Sequence, residues 1–397
     1  MGYPHELQKL LQDEHFVKAL TLFLTVKLAL IVIASASHVL LPLEMTHRQA
    51  RAESLLINPW AQYDAAAYVD IAQRGYNSQF MDGTGNYAWY PFYPLLIRLF
   101  SFLGYYTAAF LIANAASVAA IALLYVLAKE ELGGQKAYRT IFFLSMFPAA
   151  YFFTAMYTES VFLALSLGAF IAAQRNMFLH AGVLGFLLSL TRMQGVLIFF
   201  PLAYMYLRTI DFNYRRIGKE ALFLFLIPFG LLLLLGYHHE LTGDPFAQFK
   251  TQASEDFHRR ISLPWESVLF ETRAMANALG WGVQHAFVHF LNISTLALLI
   301  FFAYVSYRHL KPEYTIYILT SILLPTMSST LEAITRFALV IFPVFMAMAV
   351  YESKNARAAR YLKALYMVFA VLLVLFTIRH ANEEILFDMR ELLALAS

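Results

Sequence analysis

"FLHAGVLGFLLSLTRMQGVLIFFPLAYMYL", Phe178 to Leu207, is an apolar run of about 30 residues with a polar break, "TRMQG" (Thr191 to Gly195), at its centre. A helix that crosses the hydrocarbon core needs about 20 apolar residues. Each half of this run is too short to cross alone, and an arginine left at mid-bilayer costs about 2.5 to 3.5 kcal/mol or more. The break must therefore face protein or water. The segment reads as a broken or re-entrant helix pair that enters and leaves the membrane on the same side.

That reading orients the rest of the chain. Other apolar runs of membrane-crossing character cover 16–43, 107–128, 139–155, 159–174, 220–238, 285–307, 314–331, 336–352 and 361–380. The polar start "MGYPHELQKLLQDEHF" is too long and too acidic for the basic region of a signal peptide, so the first run is expected to be retained as an anchor. Lys and Arg collect on the cytoplasmic ends of spans. With the amino terminus inside, Lys129, Lys136, Arg139, Arg175, Arg208, Arg215, Arg216, Lys219, Arg308, Lys311, Lys354, Arg357, Arg360 and Lys363 all fall inside, provided that 178–207 is a hairpin. The tail "NEEILFDMRE" and two long polar stretches, 44–106 and 239–284, then lie outside.

Composition agrees with a bilayer setting. Of 397 residues, 60% are hydrophobic, 16% aromatic and 14% charged, against roughly 25% charged in soluble domains. The expected fold is an all-α polytopic membrane protein, one integral domain spanning 1–397 with about ten or eleven membrane segments. The absence of cysteine excludes disulfides and thiolate metal sites. A net charge of +3, without basic clusters, gives no reason to expect a nucleic-acid partner. No phosphate-binding G-x-x-x-x-G-K-S/T motif occurs. "HAFVH" (His285 to His289) has the i, i+4 spacing of two metal ligands, yet lacks the intervening glutamate and any evident third ligand. No cofactor is implied; a divalent cation is compatible with the chemistry below, but nothing calls for one.

Long outer loops in a compact fold usually carry function. The first contains "NPWAQYDAAAYVDIAQRGYNSQ" (Asn58 to Gln79), where Tyr63, Ala67 and Ile71 recur at helical spacing, as in helices lying on the membrane surface. Asp64 stands where it can cap such a helix or act as a base at a membrane-edge cavity. Asp70, six residues on, falls roughly 600° further round, off the Asp64 face, and suits a structural or solvated role. Arg192, in the break, and Arg336, opening a later run, carry guanidinium forks that match phosphate oxygens. Both could instead snorkel or pair, Arg336 with Glu332 for example. Glu159, ending the turn "MYTES", suits the first turn of a helix. In the second loop, Gln248, Lys250, Gln252, His258, Arg259 and Arg260 lie among Phe246, Phe249, Phe257 and Trp265. That mixture fits sugar hydroxyls and phosphate, or, for the arginines, lipid headgroups.

The block "YDAAAYVDIAQRGY" with "AWYPFYPLLIRL" (Ala88 to Leu99) resembles the first outer loop of the PIG-V-type mannosyltransferases (GPI mannosyltransferase 2-like), membrane enzymes of the GT-C class. There an aspartate precedes Y-x-x-I-A-x-x-G-Y and a P-x-Y-P stretch. The resemblance continues, in order over about three quarters of the chain, through "FPAAYFFTAMYTESVFLALSLGAF" (from Phe147), "SLTRMQGVLIFFPL" (from Ser189), "TGDPFAQFKTQA" (from Thr242) and "ITRFALVIFPVF" (from Ile334). It departs at Tyr63, where the family usually has tryptophan; Trp60 is nearby.

The resemblance implies a GT-C fold and an inverting transfer of mannose from a polyprenyl (dolichyl) phosphate donor to a glycolipid or glycan acceptor on the non-cytoplasmic face. It implies Asp64 as general base, Arg192, Arg336, Arg259 and Arg260 at the donor phosphate, and Tyr63, Tyr68, Glu159, Gln194, Gln248, Gln252 and Tyr93 around sugar and acceptor. The partners expected are the lipid-linked donor, the acceptor and membrane lipids. The short chain without cysteine favours a prokaryotic plasma membrane; in a eukaryote the site would face the endoplasmic reticulum lumen. Two other readings remain: another lipid-linked sugar, or a polytopic transporter or flippase. A transporter would usually repeat its interrupted segments, and only one clear interruption is present.

Overall fold

The computed structural model describes residues 8–41, 54–80, 83–254, 259–278, 283–354 and 356–382. Parts of both long loops, with Phe257 and His258, lie outside these residues, as do the side chain of His285 and all of the carboxyl-terminal tail after Asn382.

The described chain is helical throughout, apart from one isolated bridge between Ile261 and Ser328. In order the helices are α1 (Glu14–Leu40), α2 (Asp64–Arg74), α3 (Phe92–Leu99), α4 (Tyr105–Leu132), α5 (Gly134–Met146), α6 (Glu159–Gln174), α7 (Phe178–Ser189), α8 (Phe199–Thr209), α9 (Glu220–Leu224), α10 (Leu226–Thr242), α11 (Ala247–Ala253), α12 (Pro264–Ala278), α13 (Val283–His309), α14 (Pro312–Thr326), α15 (Ile334–Leu339), α16 (Phe342–Glu352) and α17 (Ala356–Ala381). Among the described residues five stretches are long and apolar enough to cross a membrane: α1, α4, α9 with α10, α13 and α17. Their outward faces expose Leu24, Leu28, Val32, Leu232, Leu233, Ile300, Phe301, Val368 and Val371. Water would penalise so much apolar surface, whereas a bilayer covers it. The protein is an integral, multi-pass, all-α membrane protein.

Proline sets several boundaries that apolar runs alone extend too far. The residue before proline avoids the helical region. So α5 stops at Met146, just before Phe147 and Pro148, and the chain continues as a 3-10 turn over Ala150–Phe153. The run 336–352 divides into α15 and α16, with Pro343 in the first turn of α16. Likewise α14 ends at Thr326, next to Pro325, rather than running to 331.

Over 178–207 the chain forms α7, a 3-10 turn (Met193–Ile198) and α8. The start of α7 and the end of α8 lie side by side, Phe178 meeting Tyr206 ring to ring at 5.1 Å. Gly195 makes the tight return feasible, since a Cβ there would overlap the Leu188 carbonyl. Small residues also let α7 meet its neighbour: at Gly182 a Cβ would run into the Phe223 carbonyl.

The two ends of the bundle differ in charge. At one end, ion pairs bind helix termini together: Lys129–Asp13, Lys311–Glu131, Arg139–Glu352 and Arg208–Glu313. The carboxyl ends of α1, α5, α7 and α14 and the amino ends of α4 and α6 point the opposite way. Between the two ends lies Lys27, buried in α1, donating to Ser117 Oγ at 3.0 Å and to the Phe153 carbonyl at 2.7 Å. It thereby caps the 3-10 turn that leads to Glu159.

Asp13 closes the amino end of α1 by accepting from His15 N at 3.0 Å and Phe16 N at 3.3 Å, and it pairs with Lys129 at 2.6 Å. Against the cost of burial, Lys129, the Tyr125 phenol and the Phe16 amide hold its carboxyl down to about 2. A depressed folded-state value means stability that is complete above the ordinary carboxylate range and is lost as pH falls towards 2. We expect Asp13→Ala to lower stability by about 1 kcal/mol, from the lost cap. In thermal melts the gap between wild type and variant should close between pH 4 and 2.

Candidate functional site

The sequence places Asp64, Glu159, Arg192 and Arg336 far apart; folding brings them into one chain of charge. Arg336 donates Nη1 to Asp64 Oδ2 at 2.5 Å and Nε to Glu159 Oε1. Arg192 donates Nη1 to the same Glu159 oxygen and, at 3.4 Å, to Thr158 Oγ1. Two acids and two bases make the quartet formally neutral, which is how burial of four ions becomes tolerable.

Local structure aims each member. The Asp64 carboxylate does not cap α2: Tyr63 is the capping residue, no side-chain cap bond forms, and Asp64 is the first helical residue, turned towards Arg336. Tyr63 takes a left-handed φ of 52°, a conformation that costs a non-glycine residue about 1 kcal/mol or more. The turn before it is pinned by Tyr157, whose hydroxyl donates to the Gln62 carbonyl at 3.0 Å, and by Met156 N, which donates to the Trp60 carbonyl at 3.2 Å. Glu159 opens α6, and Arg192 sits extended (φ −159°, ψ 155°) at the break of the hairpin. Arg336 lies in α15, entered through Ala333 at φ 63°.

Exposure falls inward along the quartet. The side chain of Asp64 is 25% exposed, Arg336 16%, Arg192 10% and Glu159 0%. Asp64 is thus the open end and Glu159 the sealed one. Aromatic faces cover the cations: Tyr157 and Phe152 lie 4.5 and 5.1 Å from the Arg336 guanidinium, and Phe337 lies 5.3 Å from that of Arg192. Burial, and then the Asp64 charge, push the Tyr68 hydroxyl up to about 12, and burial likewise raises Tyr157. Both phenols stay protonated donors.

Other candidates lie elsewhere. Arg336 does not pair with Glu332; that acid meets Arg259 at 3.4 Å. Arg260 is exposed, its backbone N donating to Ser329 Oγ at 3.3 Å. Tyr93 backs Tyr68 at 5.3 Å between rings but spends its hydroxyl on the Ala109 carbonyl at 2.7 Å. Gln194 and Gln248 are buried, while Gln252 is half-buried in α11, its carbonyl accepting from Arg259 N at 2.8 Å. Asp70 accepts from Asn77 Nδ2 and Asn86 Nδ2, both at 2.8 Å, a structural role. His289 is fully occupied on one side by Glu271, Nδ1 to Oε2 at 2.7 Å. The same carboxylate accepts from Thr330 Oγ1 and Leu331 N, fixing the loop before Arg336.

No family model matches the sequence, and no curated protein matches it. Among the solved structures that resemble it are two in complex with polyprenyl phosphates. ArnT from Cupriavidus metallidurans, bound to undecaprenyl phosphate, has 14% identity over 94% of this chain and 75% of its own, with a TM-score of 0.48. The archaeal oligosaccharyltransferase AglB from Archaeoglobus fulgidus, in complex with an inhibitory peptide and a dolichol-phosphate, has 14% identity, covers 90% of this chain and gives a TM-score of 0.39. The chain spans about half (55%) of that protein's length.

Lys27 and Glu271 escaped the sequence reading. A lysine amid the first apolar run is the signal that could have found the former; Glu271 carries none, because its partners are 18 to 60 residues away. Since Glu159 alone balances Arg192, Glu159→Gln leaves buried positive charge uncompensated. We expect it to cost about 3–5 kcal/mol, read as a lower melting temperature in detergent, with Glu159→Asp intermediate.

Proposed function

We propose that this protein is a GT-C-type inverting glycosyltransferase that moves mannose from a polyprenyl (dolichyl) phosphate to a lipid or glycan acceptor, with Asp64 as general base. The observation that carries this reading is the quartet itself: a half-open carboxylate hydrogen-bonded to an arginine, backed by a second acid and a second arginine.

In this mechanism the acceptor hydroxyl oxygen attacks the anomeric carbon, the bond from that carbon to the phosphate oxygen breaks, and the polyprenyl phosphate leaves with the electron pair. Asp64 takes the hydroxyl proton. Its Oδ2 is held by Arg336, which leaves Oδ1 for the incoming hydroxyl. Once Asp64 is protonated its hold on Arg336 weakens, and a guanidinium is released just as charge builds on the leaving phosphate. Base and phosphate clamp are thus coupled through one hydrogen bond. Arg192 keeps Glu159 neutralised so that Arg336 can move.

We place the site at the non-cytoplasmic face, in a loop region formed by 44–106 and 239–284, with 178–207 re-entering from the cytoplasm. The positive-inside rule supports this, because Lys129, Arg139, Arg208 and Lys311 all sit at the opposite end of the bundle. The apolar surface beside α1 suits a polyprenyl tail. We read the membrane as a prokaryotic plasma membrane.

The test is transfer of radiolabelled mannose from polyprenyl-phosphate mannose to a total lipid extract by protein in nanodiscs. Asp64→Asn should lose about 10²–10⁴-fold in rate while lowering the melting temperature less than Glu159→Gln does, because Asp64 is the more exposed of the two acids. Full turnover in this variant would remove Asp64 as base. Arg336→Lys should raise KM for the donor more than for the acceptor; an unchanged donor dependence would return Arg336 to a packing role. Movement of lipid between leaflets without any labelled product would favour the transporter.

A further inference from the structure

Away from the quartet, past the carboxyl end of α2, a second group of polar side chains is buried without adequate partners. His238 of α10 is fully buried, and neither ring nitrogen has a hydrogen-bond partner. Gln248 of α11 is 1% exposed, and its carboxamide makes no full hydrogen bond; it faces the hydroxyl of Tyr90. Buried polar groups left in this condition cost about 1–3 kcal/mol each, so so many together point to a ligand.

Aromatic rings frame them. Tyr76 stacks on Tyr87 at 6.0 Å with planes 8° apart, and both meet the His238 ring edge-on, at 5.1 and 5.9 Å. The frame is built, not incidental: Asp70 ties Asn77 and Asn86 together, and Tyr76 donates to the Trp89 carbonyl at 2.6 Å. Tyr76 and Tyr87 are half-buried, whereas His238 and Gln248 are fully buried, so the two tyrosine rings form the outer side of the group.

The chemistry selects the ligand. An imidazole, a carboxamide and a phenol both donate and accept, and none carries the fixed positive charge that phosphate recognition calls for. The nearest carboxylate on this loop, Asp70, is spent on the two asparagines, and Asp244 is paired with Lys250. Flat aromatic faces beside mixed donors and acceptors suit the hydroxyls and C–H faces of a neutral sugar ring. The place matters too. At about 1.5 Å per residue, α2 runs roughly 15 Å from Asp64 to Arg74, and Tyr76 follows that far end.

We propose that Tyr76, Tyr87, Tyr90, His238 and Gln248 form a subsite for an uncharged hexose ring of the acceptor, remote from the ring that is glycosylated. This deepens the transferase reading and rests on it for the word acceptor. It implies that the acceptor is an oligosaccharide or a glycolipid with several sugars, rather than a bare lipid alcohol.

The experiment is saturation-transfer NMR on the full chain in nanodiscs, with methyl hexobiosides of mannose, glucose and galactose as probes, and binding of undecaprenyl phosphate followed in parallel by tryptophan fluorescence. At least one disaccharide should receive saturation from the wild-type protein. Gln248→Leu and Tyr90→Phe, the second removing a single hydroxyl and so sparing the fold, should each reduce the signal at least five-fold, while undecaprenyl phosphate affinity stays within two-fold. No disaccharide signal in wild type, or equal signals in all three proteins, overturns the subsite. Disaccharide binding that follows this pattern with no undecaprenyl phosphate bound by any protein keeps the subsite and removes the transferase reading.

Discussion

Arg336 shares its guanidinium between Asp64 and Glu159, and the site is organised around that division. One carboxylate is 272 residues away in sequence and the other 177, so the contact closes only when the first loop, the turn before α6 and the α14–α15 connection are all in place. Ions buried this deeply cannot be left half paired. The quartet therefore acts as a condition on folding as much as a reagent: a chain that misplaces any of the three segments buries a bare charge.

The supporting network follows from the same demand. Asp64 and Glu159 each open a helix, Arg192 lies at the break between α7 and α8, and Arg336 lies in the short α15. Pro148 ends α5 and permits the turn that delivers Glu159, and Lys27 caps that turn from α1. Gly195 lets the hairpin fold back so that Arg192 can extend. Glu271, buried with His289, Asn292, Thr330 and Leu331, holds the loop that carries Ala333 into its left-handed conformation and so aims Arg336. Backbone strain at Tyr63 and Ala333 thus flanks the two ends of a single hydrogen bond.

What could be read from the sequence was what depends on local composition. The runs that became α1, α4, α6, α10, α13 and α17 were legible because a bilayer imposes both a length and an apolar composition, and the polar break in 178–207 stood out against them. Boundaries failed where a proline interrupts an apolar run: Pro148 follows the end of α5, Pro325 sits in the last turn of α14 and Pro343 in the first turn of α16. The site was legible only as a set of separate candidates. Asp64, Glu159, Arg192 and Arg336 each violate the apolar pattern, which marks them individually, but pairing is a tertiary fact: Glu332 looked the natural partner of Arg336 from its position four residues earlier, and the fold gave Glu332 to Arg259 instead. Tyr76, Tyr87 and His238 were invisible because aromatic residues near a membrane surface are ordinary; only the burial of His238 and its unpartnered ring nitrogens distinguish the group.

The separation of charge from neutral polarity within one face of the bundle has a chemical logic. In a neutralised quartet each guanidinium already has its carboxylate; in the proposed transfer it would become phosphate-seeking only when a proton reaches Asp64. Binding energy for the acceptor must then come from somewhere that does not compete with that switch, and an uncharged group of rings and amides can supply it without disturbing the balance of the four ions. Remote contacts of this kind are the usual source of the energy that positions a reacting hydroxyl. On the proposed reading the tasks divide: recognition falls to uncharged rings and amides, and reaction to Arg336–Asp64, the most exposed pair of the quartet.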